Sequence, residues 1–239
     1  MASEEVLDDL QNGYYIWQRN DGFKFGIDAV LLSDFAKACT GRVMDLCTGT
    51  GIIPLLLAAK SAAREICAVE LQSEIAEMAQ RSVEYNSLND RIHIMCADLK
   101  DAPEMFGRGS FNCVTVNPPY MKAGAGLVND GGMKTISRHE VCCTLDDVIR
   151  VSSELLKPFG KLFMVHRPSR LTDIFCCMRK YRLEPKLIRL VVPRAGKEPN
   201  LVLVHGVKNA KSDLKLLPQL IVYNEDGSYS KEIDEIYGR

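Results

Sequence analysis

A short glycine-containing loop between an apolar strand and an apolar helix constrains the fold of this chain more than any other feature. The loop, Asp45-Leu46-Cys47-Thr48-Gly49-Thr50-Gly51, follows a predicted strand at Arg42–Leu46 and precedes a predicted helix at Ile52–Ala63. Its glycines allow the backbone to turn tightly and to approach a ligand without interference from a Cβ atom. This arrangement is typical of open α/β sheets, which bind ligands beyond the carboxyl ends of their strands.

The rest of the chain continues the alternation of strands and helices. Further strands are predicted at Glu65–Leu71, Arg91–Cys96, Ser110–Val116, Lys161–His166, Leu187–Val192 and Leu201–Val207, and helices at 27–39, Ser73–Leu88 (with Ser73 as N-cap), Leu145–Leu156 (closed by a turn at Lys157–Gly160) and Leu171–Tyr181. Alternating elements predict an α/β fold with a doubly wound, mostly parallel sheet of seven strands. The last two strands have no long helix between them, so they predict an antiparallel pair at one edge.

Composition favours one domain without a membrane segment. The 239 residues contain no internal repeat, low-complexity tract or flexible linker. No apolar run approaches the ~20 residues that cross a bilayer, and the acidic N-terminus lacks a signal-peptide pattern. We therefore expect a cytoplasmic protein. The nine cysteines are odd in number and lack zinc-ligand spacing, so we expect reduced thiols rather than disulfides or metal ligands.

Four acidic or amide residues, Asp45, Glu70, Asp98 and Asn117, stand at the ends of predicted strands. Glu70 lies 19 residues after Gly51, close to the ~20-residue offset at which an acidic residue contacts ribose hydroxyls. A carboxylate suits this role because it accepts two hydrogen bonds from a vicinal diol. Asp98 is then expected beside an adenine, where it accepts from the amino group. These positions predict a nucleoside-containing cofactor.

The glycine loop departs from the G-x-G-x-x-G pattern of dinucleotide-binding proteins. Cys47 stands where the first glycine belongs, and the third glycine is missing as well. The two missing glycines argue against a binding site for a pyrophosphate and favour a cofactor without phosphates. An NAD-dependent dehydrogenase and a structural turn without ligand remain alternatives for the loop taken by itself.

The tetrapeptide Asn117-Pro118-Pro119-Tyr120 follows the strand at Ser110–Val116 and suits chemistry on a planar amine. An exocyclic amine on a base is a poor nucleophile because its lone pair is delocalised into the ring. The Asn117 side-chain oxygen and the Pro118 carbonyl can accept its two N–H bonds and stabilise the positive charge that develops on nitrogen. The two prolines stiffen the loop, and Tyr120 offers a ring face for stacking of a flipped base.

Together these residues resemble the class I S-adenosylmethionine-dependent methyltransferases that act on planar nitrogens. The segment 45–51, Glu70, Asp98 and the tetrapeptide occur in family order and at family-like spacing, with Cys47 as the departure. The resemblance implies a Rossmann-like core at 41–239, an N-terminal segment at 1–40 that covers the cofactor, S-adenosylmethionine as that cofactor and no metal. It implies cofactor contacts from Gly26, Asp28, Asp45, Cys47, Thr48, Gly49, Gly51, Glu70, Leu71, Asp98, Leu99 and Asn117.

The whole chain also resembles the bacterial methyltransferases that modify adenine N6 of a valine tRNA next to the anticodon. The segments Tyr14–Leu32, Arg138–Glu140 and Leu217–Tyr223 carry this resemblance. It implies RNA, most simply a tRNA, as the partner, and a monomer or weak dimer as the enzyme. Substrate contacts are then expected from Tyr120, Lys122, Lys134, Arg138 and His139 near the base and from Arg194 and Lys197 on a peripheral loop.

The charge distribution is consistent with a polyanionic partner. Residues 121–215 hold 18 lysines and arginines against 9 acidic residues, whereas residues 1–120 hold 10 against 17. A basic face after the catalytic loop suits RNA phosphates. The alternative is an uneven but merely solvated surface.

Several functions remain open because the same tetrapeptide serves other acceptors. Guanine N2 of ribosomal RNA and the N5 atom of protein glutamine are the main ones. Glutamine methyltransferases carry a helical N-terminal domain, and only 44 residues precede Asp45 here. DNA adenine methyltransferases carry a separate target-recognition domain, and no such domain follows. A catalytically silent RNA-binding protein would bind RNA without methyl transfer.

Overall fold

The computed structural model describes residues 5–11, 13–19, 25–119 and 143–239. Its strands are β1 (Glu5–Asp9), β2 (Tyr15–Arg19), β3 (Thr40–Leu46), β4 (Ala62–Glu70), β5 (Ile92–Cys96), β6 (Phe111–Val116), β7 (Leu156–His166), β8 (Leu183–Val192), β9 (Leu201–Lys208), β10 (Lys215–Leu216) and β11 (Leu220–Ile221). Its helices are α1 (Ile27–Phe35), α2 (Ile52–Lys60), α3 (Ser73–Tyr85), α4 (Ala102–Phe106), α5 (Leu145–Leu155), α6 (Leu171–Lys180) and α7 (Lys231–Tyr237). None of these helices is long and apolar enough to cross a membrane.

A twisted sheet organises the described part of the chain. Its strand order is β10-β8-β9-β7-β6-β3-β4-β5, and β11 pairs with β8 beyond this path. The pairs among β3, β4, β5, β6 and β7 are parallel, whereas β9 is antiparallel to both β7 and β8. The predicted α/β sheet with antiparallel pairing at one edge is confirmed. Seven strands form its body, and the two-residue strands β10 and β11 extend it.

Helices cover both faces of the sheet because successive strand residues point to opposite sides. Val43 and Phe163 belong to a buried cluster with α1, α2, α7 and part of α3. Their chain neighbours Met44 and Met164 belong to a second buried cluster with α5, α6 and the first residue of α4. The resulting three layers leave the carboxyl edge of the parallel strands as the place where loops can build a site.

Two local predictions are wrong. Ser73 is not an N-cap: the extended residue before helix α3 is Gln72, which makes no side-chain cap. The backbone N–H of Gln72 instead donates to the Glu70 carboxylate at 3.0 Å, and this contact fixes where the helix begins. The predicted turn at 157–160 lies within β7, where pairing with β6 moves from Leu156 to Lys161. The extra residues bulge from the strand, and a bulge produces the same turn-like sequence.

An N-terminal hairpin of β1 and β2 packs against helix α3 and was not predicted. The backbone N–H of Trp17 donates to the Ser82 hydroxyl at 3.0 Å, and that of Tyr15 donates to the Asn86 side chain at 2.8 Å. The Arg81 guanidinium pairs with the Glu5 carboxylate at 2.8 Å. These contacts attach the first strands to the helix that follows β4.

Candidate active site

The predicted site residues at strand ends share one edge of the sheet. Leu46, the last residue of β3, pairs with Val69 of β4 and with Val116 of β6. Glu70, the last residue of β4, pairs with Cys96 of β5. The strands are parallel, so the loops that follow them leave the sheet side by side. The topology therefore brings together the four strand-end regions that the sequence singled out.

The glycine loop after β3 has the left-handed backbone conformation that its composition suggests. Cys47, Gly49 and Gly51 have φ values of 57°, 57° and 85°. A Cβ atom on Gly51 would lie 3.2 Å from the Cβ of Ala79 in α3, so close packing also favours glycine there. Cys47 adopts a conformation that is uncommon for residues with a Cβ. Cys47 in place of glycine therefore changes the side chain at this position, while the backbone keeps the positive φ angle that glycine favours.

The Glu70 carboxylate ties the loop to the end of the neighbouring strand. Its Oε2 atom accepts a 3.0 Å hydrogen bond from the Gly49 backbone N–H, and its Oε1 atom accepts one of 3.0 Å from Gln72. The residue is buried. The Gln72 side-chain amide adds a longer bond of 3.5 Å to Oε1. A carboxylate has about four acceptor sites, so capacity remains for a ligand hydroxyl. Glu70 thus stabilises the loop and also places acceptor atoms at the carboxyl edge of the sheet, where a ligand can bind.

Asp45 is completely buried below the loop. The Thr115 hydroxyl donates to its Oδ1 atom at 2.6 Å. Burial raises the pKa of Asp45 to about 7, and the hydrogen bonds only partly oppose this effect. Among the described residues, its Oδ2 atom has no hydrogen-bond partner of ordinary geometry, and neither has the buried Thr50 hydroxyl. Such atoms are costly to bury, so the loop fits a ligand that brings hydroxyl or ammonium groups.

A cavity lies beside the loop and collects residues from four strand ends. Five lining residues were predicted to contact the cofactor, namely Cys47, Glu70, Leu71, Asp98 and Leu99. Pro119 belongs to the predicted catalytic loop, and Val69, Ala97 and Cys143 were not predicted. Leu71 is partly exposed and supplies apolar surface. Asp98 accepts from the Lys100 backbone N–H at 2.9 Å and pairs with its ammonium at 3.0 Å. The cavity thus has both apolar walls and carboxylates, as a nucleoside requires.

Sequence reasoning missed the remaining cavity residues for two different reasons. Val69 and Ala97 flank Glu70 and Asp98 directly, so their places follow once the acids are assigned. Cys143 lies 96 positions after Cys47 in the sequence, and no local pattern links the two. Their thiols are hydrogen-bonding partners, and this bond together with burial raises the pKa of the Cys47 thiol. The same bond lowers the pKa of the Cys143 thiol, against the effect of burial. Eight cysteines in the described part are free thiols, as expected.

Asn117 is joined to helix α1 across the site. Its Nδ2 atom donates a 3.2 Å hydrogen bond to the Oδ2 atom of Asp28, 89 positions earlier in the chain. Asp28 lies in the first turn of α1, two residues after the Gly26 N-cap position. The sequence assigned Gly26 and Asp28 to the cofactor, and the structure places the Asp28 carboxylate on the predicted catalytic amide. The N-terminal segment therefore reaches the end of β6.

The predicted substrate residues are divided between two parts of the chain. Tyr120, Lys122, Lys134, Arg138 and His139 lie outside the described residues. Arg194 and Lys197 are exposed on the loop that joins β8 to β9. Strands β7 and β9 separate that loop from β6, which corresponds to about 14 Å across the sheet. These two residues therefore do not line the cavity, although they lie at the same edge.

The end of β7 adds a basic residue that sequence reasoning did not select. Arg167 is exposed and follows the last residue of the strand that pairs with β6. Its guanidinium donates to the Asn200 carbonyl at 3.0 Å, which connects it to the loop of Arg194. The adjacent His166 is buried, and burial with the nearby arginines lowers its pKa to about 4. His205 in β9 is buried as well.

Comparison with known proteins agrees with this architecture. The family model of the methyltransferase small domain matches residues 20–174. Two relatives are named tRNA1(Val) (adenine(37)-N6)-methyltransferase: one from Aeromonas salmonicida is 29% identical over 214 residues, covering 87% of this chain and 85% of the relative. The other, from Porphyromonas gingivalis, is 29% identical over 225 residues, covering 90% and 87%. The chain belongs to the methyltransferase small domain family.

Solved structures support the same fold. A predicted O-methyltransferase from Agrobacterium tumefaciens superposes with a TM-score of 0.69 at 25% identity, covering 88% of this chain and 95% of that one. Geranyl diphosphate C-methyltransferase from Streptomyces coelicolor superposes with a TM-score of 0.57 at 14% identity, covering 76% and 80%. The second likeness concerns the fold alone.

Proposed function

We propose that this chain is an S-adenosylmethionine-dependent methyltransferase that modifies adenine N6 in RNA, in particular a tRNA adenine next to the anticodon. The observation that carries the proposal is the position of Asn117 at the end of β6, with its amide held by Asp28 at 3.2 Å. An oriented amide oxygen at this edge is an acceptor for the N–H bonds of a planar amine.

The residues around the cavity fit the proposed cofactor. Glu70 supplies the carboxylate for the ribose diol, Asp98 the acceptor for the adenine amino group, and Leu71 an apolar wall. Within the described part of the chain, the Asp45 Oδ2 atom and the Thr50 hydroxyl are buried polar atoms without a hydrogen-bond partner of ordinary geometry. When bound, S-adenosylmethionine supplies an electrophilic methyl group on a sulfonium. Glu70, Asp98 and Leu71 would hold this cofactor in the cavity, which is also lined by Pro119 from the loop that begins at Asn117.

Asn117 and Pro118 position the amine that is to be methylated. The Asn117 Oδ1 atom and the Pro118 carbonyl accept its two N–H bonds and hold the nitrogen in line with the methyl group. As the nitrogen becomes positively charged, these fixed dipoles stabilise the charge without reorganisation. The amine proton becomes acidic once the methyl group is attached, so no strong base is required before transfer. Tyr120 is proposed to stack on the flipped base.

Two further observations favour RNA over the other acceptors. Both relatives described above act on a tRNA adenine according to their names. The exposed residues Arg167, Arg194 and Lys197 lie at the edge of the sheet that also carries Asn117. Arginine and lysine side chains at such positions suit phosphate oxygens.

The experiment that tests the proposal is methyl transfer from tritiated S-adenosylmethionine to total tRNA, genomic DNA and protein extract in separate reactions. Nucleoside mass spectrometry then identifies the product. We expect N6-methyladenosine in tRNA with the wild type and none with Asn117→Ala, because that variant lacks the acceptor. Its cofactor affinity should stay within about threefold of wild type, since the residues that line the cavity are unchanged.

Each other outcome rejects a defined part of the proposal. Label in DNA or protein would keep the methyltransferase and overturn the substrate. Label as a methylated guanine would overturn the base. Cofactor binding without transfer to any acceptor would favour an RNA-binding protein that is catalytically silent. Full activity of Asn117→Ala would remove Asn117 from the chemistry.

A further inference from the structure

We infer that Asp28 is a positioning residue for Asn117, which selects the orientation of the Asn117 amide that can accept from a substrate amine. The inference rests on the proposed function of Asn117 and goes beyond it. The sequence assigned Asp28 to the cofactor, whereas the structure joins its carboxylate to the amide of the catalytic loop.

The contact can be made by only one of the two orientations of the amide. An ionised carboxylate accepts hydrogen bonds and donates none, so its partner on Asn117 must be the Nδ2 group. The 3.2 Å contact between Nδ2 and the Asp28 Oδ2 atom satisfies this requirement. The Oδ1 atom then lies on the other branch of the same planar group. Rotation of the amide by half a turn would set Oδ1 against the carboxylate, where two acceptors repel.

The orientation matters because the amide has two ends of similar size and opposite chemistry. With Oδ1 toward the substrate, the amide accepts an N–H bond of the amine. With Nδ2 toward the substrate, two donor groups face one another, and the amine nitrogen is neither held nor activated. Free rotation would therefore leave only part of the enzyme competent at any moment. The Asp28 contact raises that fraction before the substrate arrives, which is preorganisation.

Helix α1 holds the Asp28 carboxylate in place. Its Oδ1 atom accepts from the Ala29 backbone N–H at 3.0 Å, and its Oδ2 atom accepts from the Asn117 amide. A Cβ atom at Gly26 would lie 2.6 Å from the same Oδ1 atom, closer than real Cβ contacts allow. Glycine at position 26 therefore makes room for this carboxylate rotamer. Buried residues Ala29 and Val30 anchor the first turn of the helix in the core.

The first experiment compares Asp28→Ala with wild type on the tRNA substrate. Loss of the carboxylate removes this hydrogen bond to the amide, so kcat is expected to fall at least tenfold, while the cofactor Kd by calorimetry and the RNA KM change less than threefold. Asp28→Asn keeps an acceptor oxygen, so we expect it to recover at least a third of the wild-type kcat. Asp34→Ala removes an acid from the last turn of the same helix and serves as the matched control.

Two measurements without turnover separate positioning from a general structural effect. The Asn117 side-chain amide signals in a ¹H–¹⁵N NMR spectrum, assigned by their loss in Asn117→Ala, are expected to shift in Asp28→Ala and not in Asp34→Ala. Gly26→Ala displaces the carboxylate sterically and should lower kcat in the same way. The double variant Gly26→Ala/Asp28→Ala should be no slower than Asp28→Ala, because both changes act through one contact.

The results that overturn the inference differ from those that overturn the proposed function. A wild-type enzyme that methylates no RNA adenine would reject the function, and the NMR shift would still test the contact. A wild-type enzyme that is active while Asp28→Ala keeps its kcat would reject the inference alone. A variant whose defect lies in the cofactor Kd, with kcat unchanged at saturation, would return Asp28 to the cofactor site.

Discussion

The backbone N–H of Gly49 donates a 3.0 Å hydrogen bond to the Glu70 Oε2 atom, which joins the glycine loop to the end of the neighbouring strand. The second oxygen of the same carboxylate accepts from the Gln72 backbone N–H. Glu70 therefore shapes the glycine loop, and the same carboxylate is proposed to bind the ribose hydroxyls of the cofactor. Loop conformation and ligand affinity should depend on this one side chain together.

Glu70→Gln is expected to weaken both properties. The amide can keep one of the two backbone hydrogen bonds, and its NH₂ group then faces the other N–H donor. Loss of one hydrogen bond to a charged acceptor at a buried position costs about 1.5–3 kcal/mol of stability. We also expect the Kd for S-adenosylmethionine to rise by about tenfold or more, which corresponds to ~1.4 kcal/mol. Urea denaturation and calorimetry at pH 7 measure the two effects.

Glu104→Gln provides the control for loss of a negative charge. Glu104 is exposed on helix α4, and the same chemical change there should leave stability within about 0.5 kcal/mol of wild type. Equal cofactor affinity in Glu70→Gln and wild type would show that Glu70 serves only the loop.

Asp45 predicts a pH dependence of folding stability. Burial raises its pKa to about 7 in the folded protein, against about 3.9 in an unfolded chain. Below pH ~4 the carboxyl is protonated in both states and has no effect. Between pH ~4 and ~7 the unfolded chain loses this proton while the folded protein keeps it, so the free energy of unfolding falls as pH rises. Above pH ~7 the loss is complete, at most on the order of 4 kcal/mol.

Asp45→Asn isolates this effect because it cannot titrate and still accepts from Thr115. The difference in unfolding free energy, wild type minus variant, should become more negative from pH 4.5 to pH 7.5 and then level off. Urea denaturation without cofactor measures it. A difference that stays constant with pH, or one that changes in the opposite direction, would contradict the raised pKa.

The sequence predicted those site features that depend on strand ends. Asp45, Glu70, Asp98 and Asn117 each follow a short apolar strand, and parallel pairing brings such ends to one edge without further information. Most of the core helices and strands could also be predicted, because their apolar residues recur with helical or strand periodicity. Local pattern therefore suffices for the sheet and for the general position of the site.

Contacts between distant segments and strands of low apolar content could not be predicted. The residues of β1, Glu-Val-Leu-Asp-Asp, lack strand alternation, and they gain their conformation from pairing with β2, which packs on α3. The Asn117–Asp28 contact joins residues 89 positions apart, so neither segment reveals it. Serine is a favoured N-cap residue, yet helix α3 already begins at Ser73. The Glu70 carboxylate binds the backbone N–H of Gln72 and makes Gln72 the N-cap position. In each case a tertiary interaction outweighs the local preference.

Gly51→Ala should destabilise the cofactor loop more than the positive φ angle alone explains. The left-handed conformation costs a residue with a Cβ atom about 1–2 kcal/mol. At Gly51 the new Cβ would also lie 3.2 Å from Ala79, and resulting overpacking adds typically 1–3 kcal/mol. We expect about 2–5 kcal/mol in total by urea denaturation, with weaker cofactor binding because the loop shifts.

Gly196→Ala is the matched control for this prediction. Gly196 has a φ of 73°, and a Cβ atom there would meet nothing within 4 Å. It should cost only the conformational contribution of about 1–2 kcal/mol and leave the cofactor Kd unchanged. Equal losses in the two variants would mean that helix α3 adjusts to the added methyl group.

The exposed arginines at the site edge predict a salt-dependent affinity for RNA. Arg167 follows β7, and Arg194 lies on the loop after β8, so both stand beyond the carboxyl edge near Asn117. Each phosphate contact that is lost reduces the slope of log K against log salt by about one. We therefore expect Arg167→Gln and Arg194→Gln each to lower tRNA affinity several-fold at 100 mM salt and to flatten this slope.

Arg64→Gln tests whether position or charge alone is responsible. Arg64 is exposed near the amino end of β4, at the edge of the sheet opposite Asn117. It carries the same charge, and its substitution should leave tRNA affinity within twofold and the salt slope unchanged. Fluorescence anisotropy with a labelled tRNA at 50, 100 and 200 mM salt measures all three variants. Equal effects of Arg64→Gln and Arg194→Gln would indicate attraction by overall charge, since a docked RNA cannot contact both edges of the sheet through the same phosphates.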